Sequence, residues 1–230
     1  MYNSLYKGEK MKFRIIASGS KGNMTYIETN EAKVLIDAGI SLGEASKRTE
    51  IDFSNIDAII VSHNHWDHVS FLRTVASKTN AIVYIQKSSL EGYLGRIKQD
   101  VKNMKVRYVE PNQTYVVKDL KIHTLKLSHD TECLGFIFSN NGNNLGYITD
   151  TGFLPLPYIE SLKKADSLII EANHDIEMLY DSDRPWTLKE RIYSVKGHMS
   201  NYICGQILNA VIQDKRLKKV VLAHLSEECN

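Results

Sequence analysis

The chain has 230 residues, 43% of them hydrophobic, and a formal net charge of +2 at pH 7. This length and composition favour one folded domain and exclude a wholly disordered chain. The near balance of charges lacks the strong basic excess typical of many nucleic-acid-binding domains. The sequence contains neither an apolar run of the ~18 residues needed to span a membrane nor the apolar core of a signal peptide. We therefore predict a cytoplasmic protein with no membrane partner.

The domain organisation is predicted from the N-terminal residues and the absence of linkers. Residues 1–10 are polar and aperiodic, and Met11 stands directly before the first strand-like run, so we predict an N-terminal extension followed by a single domain over 11–230. Cys133, Cys204 and Cys229 have no CxxC spacing, which favours reduced structural thiols over a disulfide framework or a cysteine zinc site.

The hydrophobic pattern predicts many short strands with helices between them. In chain order the predicted strands are 12–18, 24–29, 33–37, 58–62, 81–85, 106–109, 115–126, 134–139, 145–149, 167–172 and 218–223. The predicted helices are 42–49, 69–78, 87–98, 157–164, 187–194 and 200–213. This order predicts an α/β fold in which two mixed sheets pack face to face with helices outside.

The stretch "VSHNHWDHVS" directly follows the apolar strand 58–62 and holds three histidines and an aspartate. If the chain stays extended there, His63, His65 and Asp67 alternate onto one side, and His68 turns with the start of the next helix. Imidazole and carboxylate groups are ligands for Zn, Mn or Fe, and these four donors exceed what one ion accepts from a short loop. The crowding therefore favours two adjacent divalent metal ions.

A pair of ions needs a bridging carboxylate and further imidazoles from elsewhere in the chain. Candidates stand at three other predicted strand ends: His129 in "KLSHDTE", Asp150 in "YITDTG" and His224 in "VVLAHLS". A single such residue is more often a capping or hydrogen-bonding group than a ligand. These three residues and the four in the histidine motif make seven, and that number at strand ends favours a metal site.

"SHNHWDH" matches the HxHxDH motif of the metallo-β-lactamase-fold hydrolases, and His129, Asp150 and His224 follow in the order in which that family supplies its remaining ligands. The resemblance implies a four-layer αββα sandwich. It also implies that His63, His65 and His129 hold one ion, that Asp67, His68 and His224 hold the second, and that Asp150 bridges them. Asp37 in "DAGIS" resembles an aspartate that supports these ligands, although an Asp that opens a turn fits equally well.

The segments "SGSKGN", "IIEANHD" and "GHMSN" narrow the resemblance to the YycJ/WalJ branch, bacterial members described as DNA exonucleases. This resemblance implies a nucleic-acid substrate, DNA in particular. Unlike most relatives, the chain ends six residues after His224. We therefore expect either a frayed edge that the site tolerates or a weaker hold on the second ion.

The site's charge bears on the substrate. Two divalent ions, Asp67, Asp150 and a bridging hydroxide leave a net charge near +1, which suits an anionic phosphodiester. The predicted mechanism is attack by that hydroxide, with no nucleophilic serine or cysteine.

Further residues are candidates for contact with substrate. His174 and His198, together with Asp67, are predicted to be catalytic, because a histidine at the start of helix 200–213 is able to donate to a phosphate oxygen. Asn201 lies beside it, and Ser18, Ser20 and Asn23 form a glycine-punctuated turn, so these four are predicted to bind substrate. Capping and hairpin-turn roles explain the same residues.

Two alternative functions remain open. The first is hydrolysis of a small ester, thioester or lactam, because the same hydroxide also attacks a carbonyl carbon. A non-catalytic metal-binding regulator would also keep the ligands. A redox diiron protein of this fold is disfavoured, because that branch resembles HxExD where this chain has His65.

Overall fold

A computed structural model of the protein describes residues 11–98 and 104–230. The predicted N-terminal extension, residues 1–10, lies outside the described residues. Within the described ranges, no helix combines the length and apolar character needed to cross a membrane.

The first sheet contains six strands in chain order: β1 (Lys12–Ala17), β2 (Met24–Glu28), β3 (Lys33–Ile36), β4 (Ala58–Ile60), β5 (Ile82–Ile85) and β6 (Val106–Tyr108). Strands β1 to β3 are antiparallel and β3 to β6 are parallel. The helices of this half are α1 (Leu42–Arg48), α2 (Trp66–Val69), α3 (Leu72–Thr79) and α4 (Lys87–Ile97). This sheet is therefore mixed, as predicted.

The second sheet has the order β12-β11-β10-β9-β8-β7. Its strands are β7 (Thr114–Val117), β8 (Leu120–Leu127), β9 (Cys133–Asn140), β10 (Asn143–Ile148), β11 (Ser167–Glu171) and β12 (Lys219–Ala223). Strands β7 to β10 are antiparallel, whereas β10, β11 and β12 are parallel. The helices are α5 (Leu156–Leu162), α6 (Ile176–Asp181), α7 (Trp186–Tyr193) and α8 (Asn201–Ile212).

Three apolar layers hold the sheets and helices together. The central layer joins both sheets, for example through Ile60 of β4 and Phe136 of β9. A second layer packs α1, α3 and α4 on the first sheet, and a third packs α5 and α8 on the second. Because each sheet buries both faces, β4 is a wholly buried apolar run rather than an alternating strand. The predicted four-layer αββα sandwich is confirmed.

Most element ends lie within two residues of prediction, and three larger differences stand out. The single strand predicted over 115–126 is a hairpin of β7 and β8, in which Lys118 adopts a left-handed φ of 53° at the turn. This turn lacks the Asn-Gly or Asp-Gly pair that usually marks it. Helix α2 begins at Trp66, before the helix predicted over 69–78, and α6 was not predicted.

Candidate metal centre

The polar cluster lies at the carboxyl ends of parallel strands from both sheets. Asp37 follows β3, His63 follows β4, Asp150 follows β10, Glu171 ends β11 and His224 follows β12. Parallel strands in one sheet end at the same edge, and the face-to-face packing brings the two edges together. The strand-end residues predicted from sequence therefore meet at one place.

Three of these residues leave their strands through unusual backbone geometry. Asp37, Asp150 and His224 have φ angles of 61°, 60° and 53°. A left-handed conformation is uncommon for residues other than glycine and clusters at functional sites. It turns each side chain sharply away from the strand direction and towards the cluster.

The histidine motif is only partly extended. His65 precedes α2, and Asp67 and His68 lie within that helix. The predicted alternation of His63, His65 and Asp67 along an extended chain is therefore wrong at Asp67. The helix places Asp67 and His68 on the side of His224 and leaves His63 and His65 facing His129.

The potential ligands form four overlapping groups, in each of which the donor atoms lie within 4.8 Å of one another. The groups are His63, His65 and His129; Asp67, His68 and His224; His63, His68 and Asp150; and Asp150, Glu171, His198 and His224. Asp150 shares a group with His63 on one side and with His224 on the other. Asp150 therefore links the donor group that contains His63 with the one that contains His224.

Five of the six clustered histidines, those predicted to be metal ligands, each have one ring nitrogen beside a polar group of the surrounding protein. The pairs are His63 Nδ1 with Ser62 Oγ at 3.0 Å, His65 Nε2 with Asp130 Oδ1 at 3.0 Å, His68 Nδ1 with Asp37 Oδ2 at 2.8 Å, His129 Nδ1 with the Gly197 carbonyl at 3.2 Å, and His224 Nδ1 with Glu171 Oε1 at 3.1 Å. Such bonds fix the ring and direct the opposite nitrogen at a metal. This pattern is typical of metal-ligating histidines.

Several of the opposite atoms have no hydrogen-bond partner. Within the described part of the chain, His63 Nε2, Asp150 Oδ2 and His224 Nε2 are buried and unpaired. His65 Nδ1 lies only 3.2 Å from His129 Nε2. Buried polar atoms are normally satisfied, so unpaired ligand atoms on His63 and His224, each in a donor group with Asp150, fit metal coordination.

The buried surroundings lower the pKa of some clustered groups and raise the pKa of others. Burial lowers the pKa of His63 well below its usual value, and the neighbouring imidazoles of His68 and His129 lower it further. Burial would also lower the pKa of His68, but the carboxylates of Asp150 and Asp37 raise it to about 10. Burial would raise the pKa of Asp67, yet the nearby imidazoles of His224 and His68 hold it far below its usual range. The metal-free cluster thus shares protons that a cation would displace.

Three carboxylates orient these rings. Asp37 is fully buried and also accepts hydrogen bonds from the Ser62 backbone and hydroxyl, so it supports His68 rather than merely opening a turn. Glu171 and Asp130 were not assigned to the site from sequence. Glu171 lies in the quoted "IIEANHD" segment and Asp130 beside His129, which are the only signals that pointed to them.

Of the four residues predicted to bind substrate, three contact the scaffold instead. Asn23 is buried, donates to Asp67 Oδ2 at 3.0 Å and lies 2.9 Å from His68 Nε2. Ser18 Oγ accepts from the His224 backbone at 2.7 Å, and Asn201 donates to the Asn230 side chain. Only Ser20 lines the cleft beside the cluster.

The two predicted auxiliary histidines occupy different positions. His198 lines the cleft, and its Nδ1 donates to Glu171 Oε1 at 2.8 Å. His174 is fully buried, contacts Asn173 Oδ1 at 3.3 Å and belongs to none of the four groups. The structure therefore brings His198, but not His174, to the cluster.

The cleft over the cluster has a volume of about 140 Å³. The cleft is lined by residues of the cluster and its surroundings, namely Ser20, His129, His198 and His224. It is also lined by residues of α7 and the segment before it, notably Arg191 and Arg184. Arg191 pairs with Asp130, which in turn contacts His65. Cationic side chains therefore border a centre rich in metal ligands.

The segment after His224 does not fray. The Ser226 backbone N–H donates to the Asn173 carbonyl, and the Asp175 N–H donates to the Cys229 carbonyl. Cys229 is fully buried, and the Asn230 side chain donates to the carbonyls of Ala172 and Asn173. These bonds hold the segment against the site, contrary to the expected frayed edge.

Comparison with known proteins places this centre in a family. Residues 32–225 match a family model described as the β-lactamase superfamily domain. The chain belongs to the β-lactamase superfamily. Members bind divalent metal ions, so the family and the four donor groups together support a divalent-metal centre.

The relatives within the superfamily cover nearly the whole chain. It is 35% identical over 228 residues to exodeoxyribonuclease YycJ of Bacillus anthracis, covering 96% of this chain and 84% of the relative. It is 33% identical over 232 residues to exodeoxyribonuclease WalJ of Streptococcus pneumoniae serotype 2, covering 95% and 83%. The resemblance to the YycJ/WalJ branch is confirmed.

Solved structures show the same fold. The metallo-β-lactamase-fold protein YhfI of Bacillus subtilis superimposes with a TM-score of 0.73 at 19% sequence identity, covering 96% of this chain and 88% of YhfI.

Proposed function

We propose that the protein is a two-metal hydrolase that cleaves phosphodiester bonds of DNA from a strand end, acting in the cytoplasm. The observation that carries the proposal is that Asp150 shares one donor group with His63 and His68 and another with His224. The names of the relatives, both exodeoxyribonucleases, support DNA as the substrate class. We further propose that residues 11–230 act as one catalytic domain.

The ligand assignment follows the donor groups. His63, His65 and His129 would hold one ion, Asp67, His68 and His224 the other, and Asp150 would contact both. Bound divalent ions supply activation of water and neutralisation of the phosphodiester charge, and Zn, Mn and Fe suit these donors. The two ligand carboxylates, Asp67 and Asp150, leave the centre with a net positive charge that favours an anionic substrate.

His198 is proposed as the group that handles the leaving oxygen. Its Nδ1 donates to buried Glu171, which leaves Nε2 as the atom available to substrate in the cleft. A proton on Nε2 would pass to the oxygen that departs from phosphorus. Glu171 fixes the ring because its other oxygen is held by the backbone N–H groups of Thr151 and Met199.

The proposal is tested with end-labelled double- and single-stranded DNA, with added Mn or Zn, for the parent protein and Asp150→Ala. We expect the parent either to shorten the labelled strand stepwise from its unlabelled end or to release the labelled terminal nucleotide first, and we expect the cleavage rate of the variant to fall by at least a hundredfold. Asp214→Ala, which removes an exposed carboxylate at the end of α8, serves as the matched control and should retain activity. Thermal unfolding of both variants separates lost chemistry from lost folding.

Two further measurements address the alternatives. Hydrolysis of a lactone or thioester, with DNA untouched under both metals, would contradict the nuclease and favour a small-molecule hydrolase. Metal analysis after reconstitution should give about two ions per chain. Full metal content with no hydrolysis of any of these substrates would favour a regulator.

A further inference from the structure

Helices α6 and α7 form a small helical hairpin beside the metal centre. Their own apolar cluster, built from Leu179, Ile192 and Cys229 with Leu188 against it, is separate from the three main core layers. Helix α7 has one face towards the cleft and one towards solvent. Leu188, Arg191 and Ile192 face the cleft over the metal centre, and the other side turns outwards.

The outer side of this hairpin carries three exposed aromatic residues, named here the aromatic triad: Tyr180, Trp186 and Tyr193. They are 44%, 56% and 51% exposed. Their rings contact one another, at 5.6 Å between the centroids of Tyr180 and Trp186 and 6.1 Å between Tyr180 and Tyr193. Together with Leu179, Lys189 and Glu190 they line a surface pocket of about 290 Å³.

The charge of this pocket restricts what it binds. It contains one base, Lys189, and one acid, Glu190, so it has no excess charge to attract a phosphate or an acidic peptide. The Lys189 ammonium is also engaged, because it donates to the Tyr180 carbonyl at 2.6 Å. A flat, neutral, aromatic ligand is the chemistry that fits. Nucleobases are such ligands, and proteins bind unpaired bases by stacking them on aromatic side chains.

The aromatic triad lies near the metal centre, on the other side of α7 from the cleft. The Tyr193 ring lies 6.4 Å from the ring of His174, and the adjacent Asn173 donates to the His224 carbonyl at 2.8 Å. Helix α7 contributes to both surfaces, because Arg191 and Ile192 line the cleft and Trp186 and Tyr193 line the pocket. Arg184 and Arg191 border the cleft on this side. Arg184 pairs with exposed Glu228 and Arg191 with Asp130, so a strand's phosphates would have to compete with these carboxylates.

We propose that the aromatic triad is a base-stacking subsite that holds an unpaired nucleobase of the DNA strand whose end lies in the cleft. The inference rests on the proposed nuclease function and deepens it, because a base free to stack there must come from a single-stranded segment. The arginines on the cleft side would guide the backbone, and the aromatic triad would hold a base outside it.

Tryptophan fluorescence reads this subsite directly. The chain has two tryptophans, Trp66 and Trp186, so Trp66→Phe leaves Trp186 as the sole reporter. The metal-loaded protein is titrated with a short single-stranded DNA carrying phosphorothioate linkages, which resist hydrolysis. A matched oligonucleotide of abasic sites carries the same charge without bases. Fluorescein anisotropy on the same oligonucleotides reports binding regardless of stacking.

We expect the base-containing strand to quench Trp186 and to bind more tightly than the abasic strand. Tyr180→Ala and Tyr193→Ala should each weaken its binding by about 5- to 150-fold, the range for loss of one base-stacking aromatic. Neither variant should change binding of the abasic strand. Tyr108→Ala, which removes an equally exposed tyrosine from β6, should alter affinity by no more than about twofold.

The outcomes separate the two proposals. Equal affinity for both oligonucleotides, or binding and cleavage with no change at Trp186, overturns the stacking subsite and leaves the nuclease standing; the triad would then be free to dock a protein. Absence of both cleavage and anisotropy change overturns the nuclease and the subsite together.

Discussion

Replacing Glu171 by glutamine removes one charge from a fully buried position and should weaken the metal centre without removing a ligand from either three-residue group. Both carboxylate oxygens accept hydrogen bonds. Oε1 accepts from His198 Nδ1 at 2.8 Å and His224 Nδ1 at 3.1 Å, and Oε2 accepts from the backbone N–H groups of Thr151 at 3.0 Å and Met199 at 3.1 Å. Burial would raise the pKa of Glu171, but the neighbouring imidazoles of His198 and His224 hold it far below its usual range.

A glutamine satisfies only one of these pairs. Its oxygen replaces one carboxylate oxygen, and its NH₂ group then faces two further donors. Hydrogen bonds to charged groups contribute about 1.5–3 kcal/mol each, so loss of two would lower the free energy of unfolding by about 3–6 kcal/mol. The protein avoids part of this loss if His224 moves its proton from Nδ1 to Nε2. That tautomer no longer offers Nε2 to a metal, so we expect metal affinity and activity to fall by about 10- to 100-fold.

The assay is competition with a chelator, followed by metal analysis and hydrolysis of end-labelled DNA. Glu160→Gln makes the same chemical change at an exposed carboxylate paired with Lys163 and should leave all three measurements unchanged. Metal affinity and activity of Glu171→Gln within about twofold of the parent, with an unchanged melting temperature in a separate thermal unfolding experiment, would refute the reasoning, because the buried carboxylate would then not be orienting His224 and His198.

The remaining predictions concern the rest of the cluster. Asp37→Asn should lower affinity for the ion near His68 by about 10- to 100-fold, since the charge-assisted hydrogen bond that orients this ring is lost, and retention of two ions under chelator challenge would contradict it. Gly39→Ala should destabilise by about 1–3 kcal/mol, because its Cβ would clash with the Asp67 carbonyl, whereas Gly95→Ala meets nothing within 4 Å and should be neutral or stabilising; equal melting temperatures would contradict this. Metal-free protein should lose thermal stability as pH rises from about 6.5 towards 10: the raised pKa of His68 means that the folded state holds a proton which the unfolded state has released. The metal-loaded protein should not show this decline, because ligation has already displaced that proton, and the same decline in both forms would contradict the prediction.

Much of the centre could be predicted from local sequence. A wholly apolar strand that ends in clustered histidines, and three later strands that end in His129, Asp150 and His224, identify the seven potential ligands, because parallel strand ends collect at one edge. Apolar runs bounded by turn residues predicted most strands, and helical spacing predicted α1, α3 to α5, α7 and α8, with ends within a few residues of those observed. These are short-range features, and the chain's own pattern carries them.

The tertiary structure decided what surrounds those ligands. Glu171 meets His224, which is 53 residues away, because β11 and β12 are paired in register at the same edge. It meets His198, which is 27 residues away, because the segment before α8 packs there and its Met199 N–H donates to the same carboxylate. Asn23 looked like a substrate-binding turn residue, yet the packing of that turn against α2 turns its amide towards Asp67. The aromatic triad spans two helices, one of which no sequence pattern predicted. Contacts between segments distant in the chain depend on sheet order and register, and a single sequence holds no local signal for either.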